Sequence, residues 1–317
     1  MIAALAPVFL LVALGWGLAR LRVLGPEAER GLNGLLYWVA LPVQLLVAVG
    51  GADLRTAFSP AAFAAAALAF AAGLGLGWAL TARAEPAQRG ALINGMARAN
   101  GAFVGLPIVV LLAGVVGGPA GSALHAAYAV LLAGMVPLFN LGAVFAFVLP
   151  QHGPGRAGLA AVARELPRNP IILGCAGGIA LALVAPGLLQ DPPAPLAPLI
   201  AALDLLAGAA IPLALLLTGA RLDFALLLAA RRWLVLVVAV KLLAVPGLTL
   251  ALCLAFGAPL AATQAAVILN ACPAAMAAVA MARALGGDDR LLAAAIVATT
   301  AASPLTLAGW LWLLERL

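Results

Sequence analysis

Charge is scarce in this sequence. Of 317 residues, 9% are Asp, Glu, Lys or Arg and 66% are apolar, where a soluble domain carries roughly a quarter charged residues. So little polar surface cannot cover a water-soluble globule of this size. The mean hydropathy of +1.18 agrees that the solvent is a bilayer. Lysine is nearly absent: Lys241 is the single Lys, and the other basic residues are Arg. Histidine is limited to His125 and His152, too far apart for the His-Glu-x-x-His pattern of a metalloprotease. There is no Asp-rich Mg²⁺ motif either, since Asp288-Asp289 reads as a helix-start signal. An enzyme is therefore not expected, nor a resident metal or cofactor. Cys175, Cys253 and Cys272 lie in apolar stretches without disulfide or metal-ligand spacing. The pI of about 10.2 is not matched by any cluster of basic and aromatic residues, so no nucleic-acid partner is expected.

What the chain does have is long apolar runs. A hydrocarbon core about 30 Å thick takes roughly 20 apolar residues per helix. Runs between charges and Pro/Gly breaks predict ten spans, at 2–19, 32–50, 58–82, 90–113, 123–149, 170–188, 199–219, 233–255, 259–282 and 291–314. The first does not read as a signal peptide, because Arg20 and Arg22 follow it rather than precede it. Most of the basic residues fall in the loops after the odd-numbered spans: Arg20, Arg22 and Arg30; Arg83 and Arg89; Arg156, Arg164 and Arg168; Arg221, Arg231 and Arg232; Arg283 and Arg290. The opposite side carries Arg55 and Arg316. The positive-inside rule then places these loops in the cytoplasm and both termini outside. One miscounted helix would invert every later loop and destroy this asymmetry.

Ten spans divide into two sets of five, at 1–149 and 169–317, joined by a polar cytoplasmic linker at 150–168. Because five is odd, equivalent halves must lie in opposite orientations, which is the inverted-repeat design of secondary transporters. Sequence echoes fit that reading. Span 2 contains ALPVQLLVAVGGADL (40–54) and span 7 AIPLALLLTGARL (210–222), while Gln88 precedes Asn94 as Gln264 precedes Asn270. The fourth span of each half is interrupted, by NGMARANGAFVGLP (94–107) and LNACPAA (269–275). Pro and Gly at such depth leave backbone groups unsatisfied, which hydrocarbon tolerates only inside protein or beside a watery cavity. Either interruption alone reads as an ordinary kink. Their matching positions instead predict two broken helices whose second halves begin with free N–H groups and positive dipole ends, a setting for an anion.

Arg98 and Lys241 fall inside spans, each about 12 Å from the cytoplasmic edge at 1.5 Å per residue. Intramembrane cations are functional candidates by default. Arg98 either supplies charge to a substrate or snorkels to the cytoplasm. Lys241 either contacts substrate or bonds the carbonyl ends of broken half-helices. Asp204 is the single acid within a span, about 7 Å from the outer edge, and no pair of intramembrane carboxylates is present to bind Na⁺ or relay protons. The Gly series at Gly73-Gly75-Gly77 and Gly174/Gly178 reads as close helix packing rather than a dimer motif. Trp310 and Trp312 read as interfacial anchors.

The strings NGAFVGLPIVVLLAG (100–114), RNPIILG (168–174), IPLALLLTGARL (211–222), KLLAVPG (241–247), NACPAAMAAVAMARALGG (270–287) and ATTAASPLTL (298–307) together resemble the auxin efflux carrier family. That family includes bacterial carriers assigned to malonate or malate, and the plant auxin exporters. The resemblance implies an all-α, ten-helix inverted-repeat fold like that of bile-acid symporters. Spans 1, 2, 6 and 7 would form a scaffold with a homodimer interface, and spans 3–5 and 8–10 a mobile core in which spans 4 and 9 cross. By that likeness the crossing falls near Ala99-Asn100 and Pro273-Ala274, and Asn100 matches a substrate-contacting Asn. Ala99 stands where the plant carriers have a crossing Pro, so the first break would rest on Gly101 and Gly105. The long cytoplasmic loop of those carriers is missing as well.

The expected function is a secondary carrier of the cytoplasmic membrane that moves a small organic anion, a carboxylate foremost, by alternating access. Its candidate binding residues are Asn94, Arg98, Asn100, Gly101, Lys241, Asn270, Pro273 and Ala274, with lipid and the anion as partners beside the second copy. The alternatives are a Na⁺-coupled symporter using the hydroxyls and amides of Thr299, Thr300, Ser303 and Asn270, and a channel-like or scaffold membrane protein.

Overall fold

A computed structural model describes residues 5–152, 170–228 and 231–317. The described residues are mainly helical, with no strand and one isolated antiparallel bridge. The principal helices are α1 (Leu5–Arg20), α2 (Pro26–Gly50), α3 (Pro60–Leu80), α4 (Pro86–Ala97), α5 (Gly101–Val116), α6 (Gly118–His152), α7 (Pro170–Val184), α8 (Ala197–Ala220), α9 (Arg231–Ala255), α10 (Leu260–Ala271), α11 (Ala278–Ala284) and α12 (Asp289–Leu314). Six of them, α2, α3, α6, α8, α9 and α12, are long and apolar enough to cross a membrane, and α1, α5, α7 and α10 are shorter apolar helices. Each of the ten apolar runs is largely helical where it is described. The fourth and ninth runs are each two helices, α4 with α5 and α10 with α11. The expected linker at 150–168 begins within α6, and the rest of it, with Arg156, Arg164 and Arg168, lies outside the described residues.

Contacts group the chain into two units: Met1–Ser59, Ala102–Val136 and Pro167–Leu222 in the first, Pro60–Gly101, Pro137–Leu166 and Asp223–Leu317 in the second. Each takes segments from both halves of the sequence. In the first unit, helices touch at glycines. A Cβ on Gly174 would run into the Pro42 backbone, one on Gly178 would meet Val49, and one on Gly15 or Gly219 would overlap the backbone of Leu216 or Val12. Thus α7 lies directly on α2, and α1 on α8, at distances only a missing side chain permits. The ends of this unit are tied by Arg221 Nε to Glu29 Oε1 at 2.6 Å and by Gln190 Nε2 to the Gly51 carbonyl at 2.6 Å.

The second unit has a core of Ala69, Leu92, Met96, Phe147, Val237, Val245, Leu292 and Ala295, among others. Gly73 and Gly77 of α3 face Ala97 and Ile93 of α4, whereas Gly75 faces open space. The small-residue series therefore packs inside the protein at Gly73, Gly77, Gly174 and Gly178. Large apolar side chains such as Leu10, Leu183, Leu205, Val235 and Leu305 are exposed, as a lipid-facing surface requires. Arg guanidinium groups lie over Trp rings near helix ends, Arg89 over Trp78 at 4.1 Å and Arg316 over Trp312 at 3.7 Å. Such pairs suit a headgroup region that accepts both an aromatic body and a charge.

Three segments widen to π-turns, Leu36–Ala40, Gly101–Gly105 and Val240–Ala244. Each is followed by a residue and then a proline: Pro42, Pro107 and Pro246. A proline inside a helix offers no N–H and crowds the carbonyl four residues back, and a widened turn relieves that crowding. At Pro246 the carbonyl four back is that of Leu242, and Trp310 Nε1 donates to it at 2.8 Å. The indole N–H of Trp310 is thus committed to a helix defect.

Candidate functional site

The two interruptions lie in the second unit and are paired. Helix α4 stops at Ala97, and Arg98 turns extended (φ −77°, ψ 122°). Helix α10 stops at Ala271, and Cys272 is likewise extended (φ −61°, ψ 148°), the conformation a residue before proline prefers. The freed segments meet antiparallel at Ala99 and Ala274. The Asn100 N–H donates to the Pro273 carbonyl at 2.8 Å, and the Ala275 N–H to the Arg98 carbonyl at 3.2 Å. The Ala274 N–H donates to Thr299 Oγ1 at 3.1 Å, and that hydroxyl donates to the Ala295 carbonyl at 2.8 Å. The three amides at the bridge are not free for a ligand. They are taken, because a buried N–H finds a protein acceptor where one is near. Pro273 fits this arrangement because it needs no acceptor of its own and still offers a carbonyl.

The break in the first interrupted run falls at Arg98–Asn100, ahead of Gly101 and Gly105, which bound the π-turn where the helix resumes. Pro107 explains that restart better than the glycines do.

Arg98 does not snorkel. It is 8% exposed, and its Nη2 donates to Asn140 Oδ1 at 2.9 Å while Nη1 lies 3.0 Å from Met281 Sδ. Both of these acceptors are neutral groups. Lys241 is fully buried, with Nζ donating to the Asn270 carbonyl at 2.6 Å, in the last turn of α10. This is the geometry of an ammonium serving a broken helix end, where the dipole is negative. Asn270 Nδ2 donates to Thr249 Oγ1 at 2.9 Å and to the Ala66 carbonyl at 3.2 Å.

Several buried polar atoms have no hydrogen-bond partner in the protein: both side-chain atoms of Asn94, Nδ2 of Asn100, Oδ1 of Asn270 and Oγ1 of Thr300. An unsatisfied buried amide group costs about 1–3 kcal/mol, so each calls for an explanation. The structure thus brings Arg98, Asn100, Pro273 and Ala274 together at the bridge. Gly101 follows the bridge at the start of α5, Asn94 precedes it on α4, and Asn270 with Lys241 forms a neighbouring cluster. Asp204, on α8 of the first unit, is exposed.

Asn140, Met281 and Thr249 were not foreseen. Asn140 was visible as a lone amide in an apolar helix; Met281 and Thr249 carry no signal in sequence. Thr299, first noted as a hydroxyl for Na⁺, holds the Ala274 amide, and Ser303 donates to the Thr300 carbonyl at 2.8 Å.

No curated protein matches the chain. A family model described as membrane transport protein matches residues 1–140 and 156–311, nearly the whole length. All six quoted motifs lie wholly or largely within those limits. A multi-pass apolar chain with paired breaks in its helices is thereby placed: it belongs to the membrane transport protein family, that of the auxin efflux carriers.

Proposed function

We propose that this membrane transporter is a secondary carrier for a small organic anion, a carboxylate, bound at the paired breaks between α4 and α10 and moved by alternating access. In this reading the ten apolar runs are ten spans in two inverted sets of five, with both termini outside the cytoplasmic membrane. Runs 1, 2, 6 and 7 form a scaffold that dimerises, and the remainder a moving core.

The observation that carries the proposal is a set of buried amide atoms without protein partners, both side-chain atoms of Asn94 and Nδ2 of Asn100, at the break that also holds the buried Arg98. Asn100 Nδ2 is a donor, and a carboxylate oxygen is the acceptor it lacks. Arg98, held in place by Asn140 and Met281, gives the region a positive potential that favours an anion over a neutral solute. Asn94, carrying both a donor and an acceptor, suits a ligand with a hydroxyl beside its carboxylate, or a bridging water. The Asn100, Ala274 and Ala275 backbone amides are already donated and hold the shape of the site.

Uptake of labelled mono- and dicarboxylates into proteoliposomes tests this. Saturable uptake of at least one carboxylate is expected, falling at least tenfold in Asn100→Ala and Arg98→Ala, as loss of a charge-assisted hydrogen bond worth about 1.5–3 kcal/mol requires. Undiminished transport of every carried anion in both variants would remove the site from the breaks.

A further inference from the structure

The carrier reading leaves the best-buried cation among the described residues without a part. Lys241 has 0% exposure, and its ammonium reaches the Asn270 carbonyl at 2.6 Å. That carbonyl belongs to the last turn of α10, the negative end of a helix that stops inside the second unit. Other oxygens surround the same residue. Asn270 Oδ1 is buried and has no partner, and Thr249 Oγ1 accepts from Asn270 Nδ2 at 2.9 Å while donating to the Val245 carbonyl at 2.8 Å. Lys241 itself sits in the π-turn Val240–Ala244, a widening of the kind frequent at functional sites. A helix C-terminus, an unbonded amide oxygen and a hydroxyl are the ligands of a hard monovalent cation, which takes oxygen donors and compact charge. Here a side-chain ammonium already serves the first of these, the carbonyl end of the helix.

We propose that Lys241 is a tethered countercation: its ammonium holds the position a coupling ion such as Na⁺ would take at the end of α10, so the protein needs no external cation there. The claim deepens the carrier reading by assigning its coupling, but the cation chemistry of this cluster stands apart from the identity of the anion. It follows that deleting the ammonium with its stem, as in Lys241→Ala, opens an oxygen-lined cavity able to take Na⁺. Lys241→Met removes the charge yet refills the space, and leaves no room for an ion.

The test is thermal unfolding of the purified full-length protein in NaCl and in choline chloride at equal ionic strength. Wild type and Lys241→Met are expected to unfold at the same midpoint in both salts. Lys241→Ala is expected to be less stable in choline and to gain about 2 °C or more in NaCl, as binding to the native state alone requires. Adding Asn270→Leu to Lys241→Ala should abolish that gain. A wild-type midpoint that rises with Na⁺ would overturn the proposal, since the site would then already take the ion. So would a Lys241→Ala protein indifferent to Na⁺, or one that fails to fold in Na⁺ as well as in choline, because the ion should stand in for the ammonium. No anion enters this experiment, so a failed carboxylate uptake assay leaves its outcome untouched, and the reverse holds too.

Discussion

Arg98 shows how far a single residue can be read before its neighbours are seen. Its depth and type were enough to mark it, since a cation some 12 Å into a bilayer span is costly. Whether it pointed outward or stayed inside depended on Asn140 and Met281, which lie on helices remote in sequence. Periodicity and composition carry no such information. Arg98→Lys keeps the charge but loses the planar fork that reaches two acceptors, so transport is expected to fall at least tenfold although the charge is conserved; uptake kinetics on matched protein amounts check this. Trp310 gives a second case. Trp310→Phe deprives the Leu242 carbonyl of its indole donor and should cost about 1–3 kcal/mol, read as a lower unfolding midpoint. Trp312→Phe, at an exposed ring stacked on Arg316, should change it by less than half as much.

Helices were the legible scale. Ten apolar runs predicted where the chain is helical, with ends shifted by a few residues, because the need for apolar length in lipid leaves little latitude. The Asp288 carboxylate caps α12 through the Leu291 N–H at 2.9 Å, as a helix-start signal should. Less legible was the form of the breaks. Pro and Gly announced an interruption near 94–107 and 269–275, but the antiparallel bridge depends on which distant amide meets which carbonyl. The π-turns before Pro42, Pro107 and Pro246 were not foreseen either, although Pro137, Pro212 and Pro304 sit inside helices too, so proline alone does not dictate one. Glycine contacts give the sharpest test here. Gly174→Val places a branched side chain against the Pro42 backbone and should lower stability by about 1–3 kcal/mol, the scale of overpacking. Gly75→Ala, which meets open space, should leave the midpoint unchanged or raise it slightly, since Ala favours a helix over Gly by about 0.5–1 kcal/mol.

At the scale of the whole molecule, the sparse charges do the sorting. The basic loops predict a cytoplasmic face, and the described native cysteines are all buried, so introduced thiols can be read against a quiet background. Cysteine at Leu317 should react with a membrane-impermeant maleimide in intact cells, and cysteine at Ala82 should react only after the membrane is opened. The reverse pattern would invert the assigned orientation. Family membership fixes transport as the activity, while the substrate rests on the paired breaks. The most direct check is therefore equilibrium binding of a transported carboxylate to purified wild type and Asn100→Ala. The account predicts that the variant, folded with an unchanged unfolding midpoint, binds the anion at least tenfold more weakly. Equal affinity in the two proteins would contradict it.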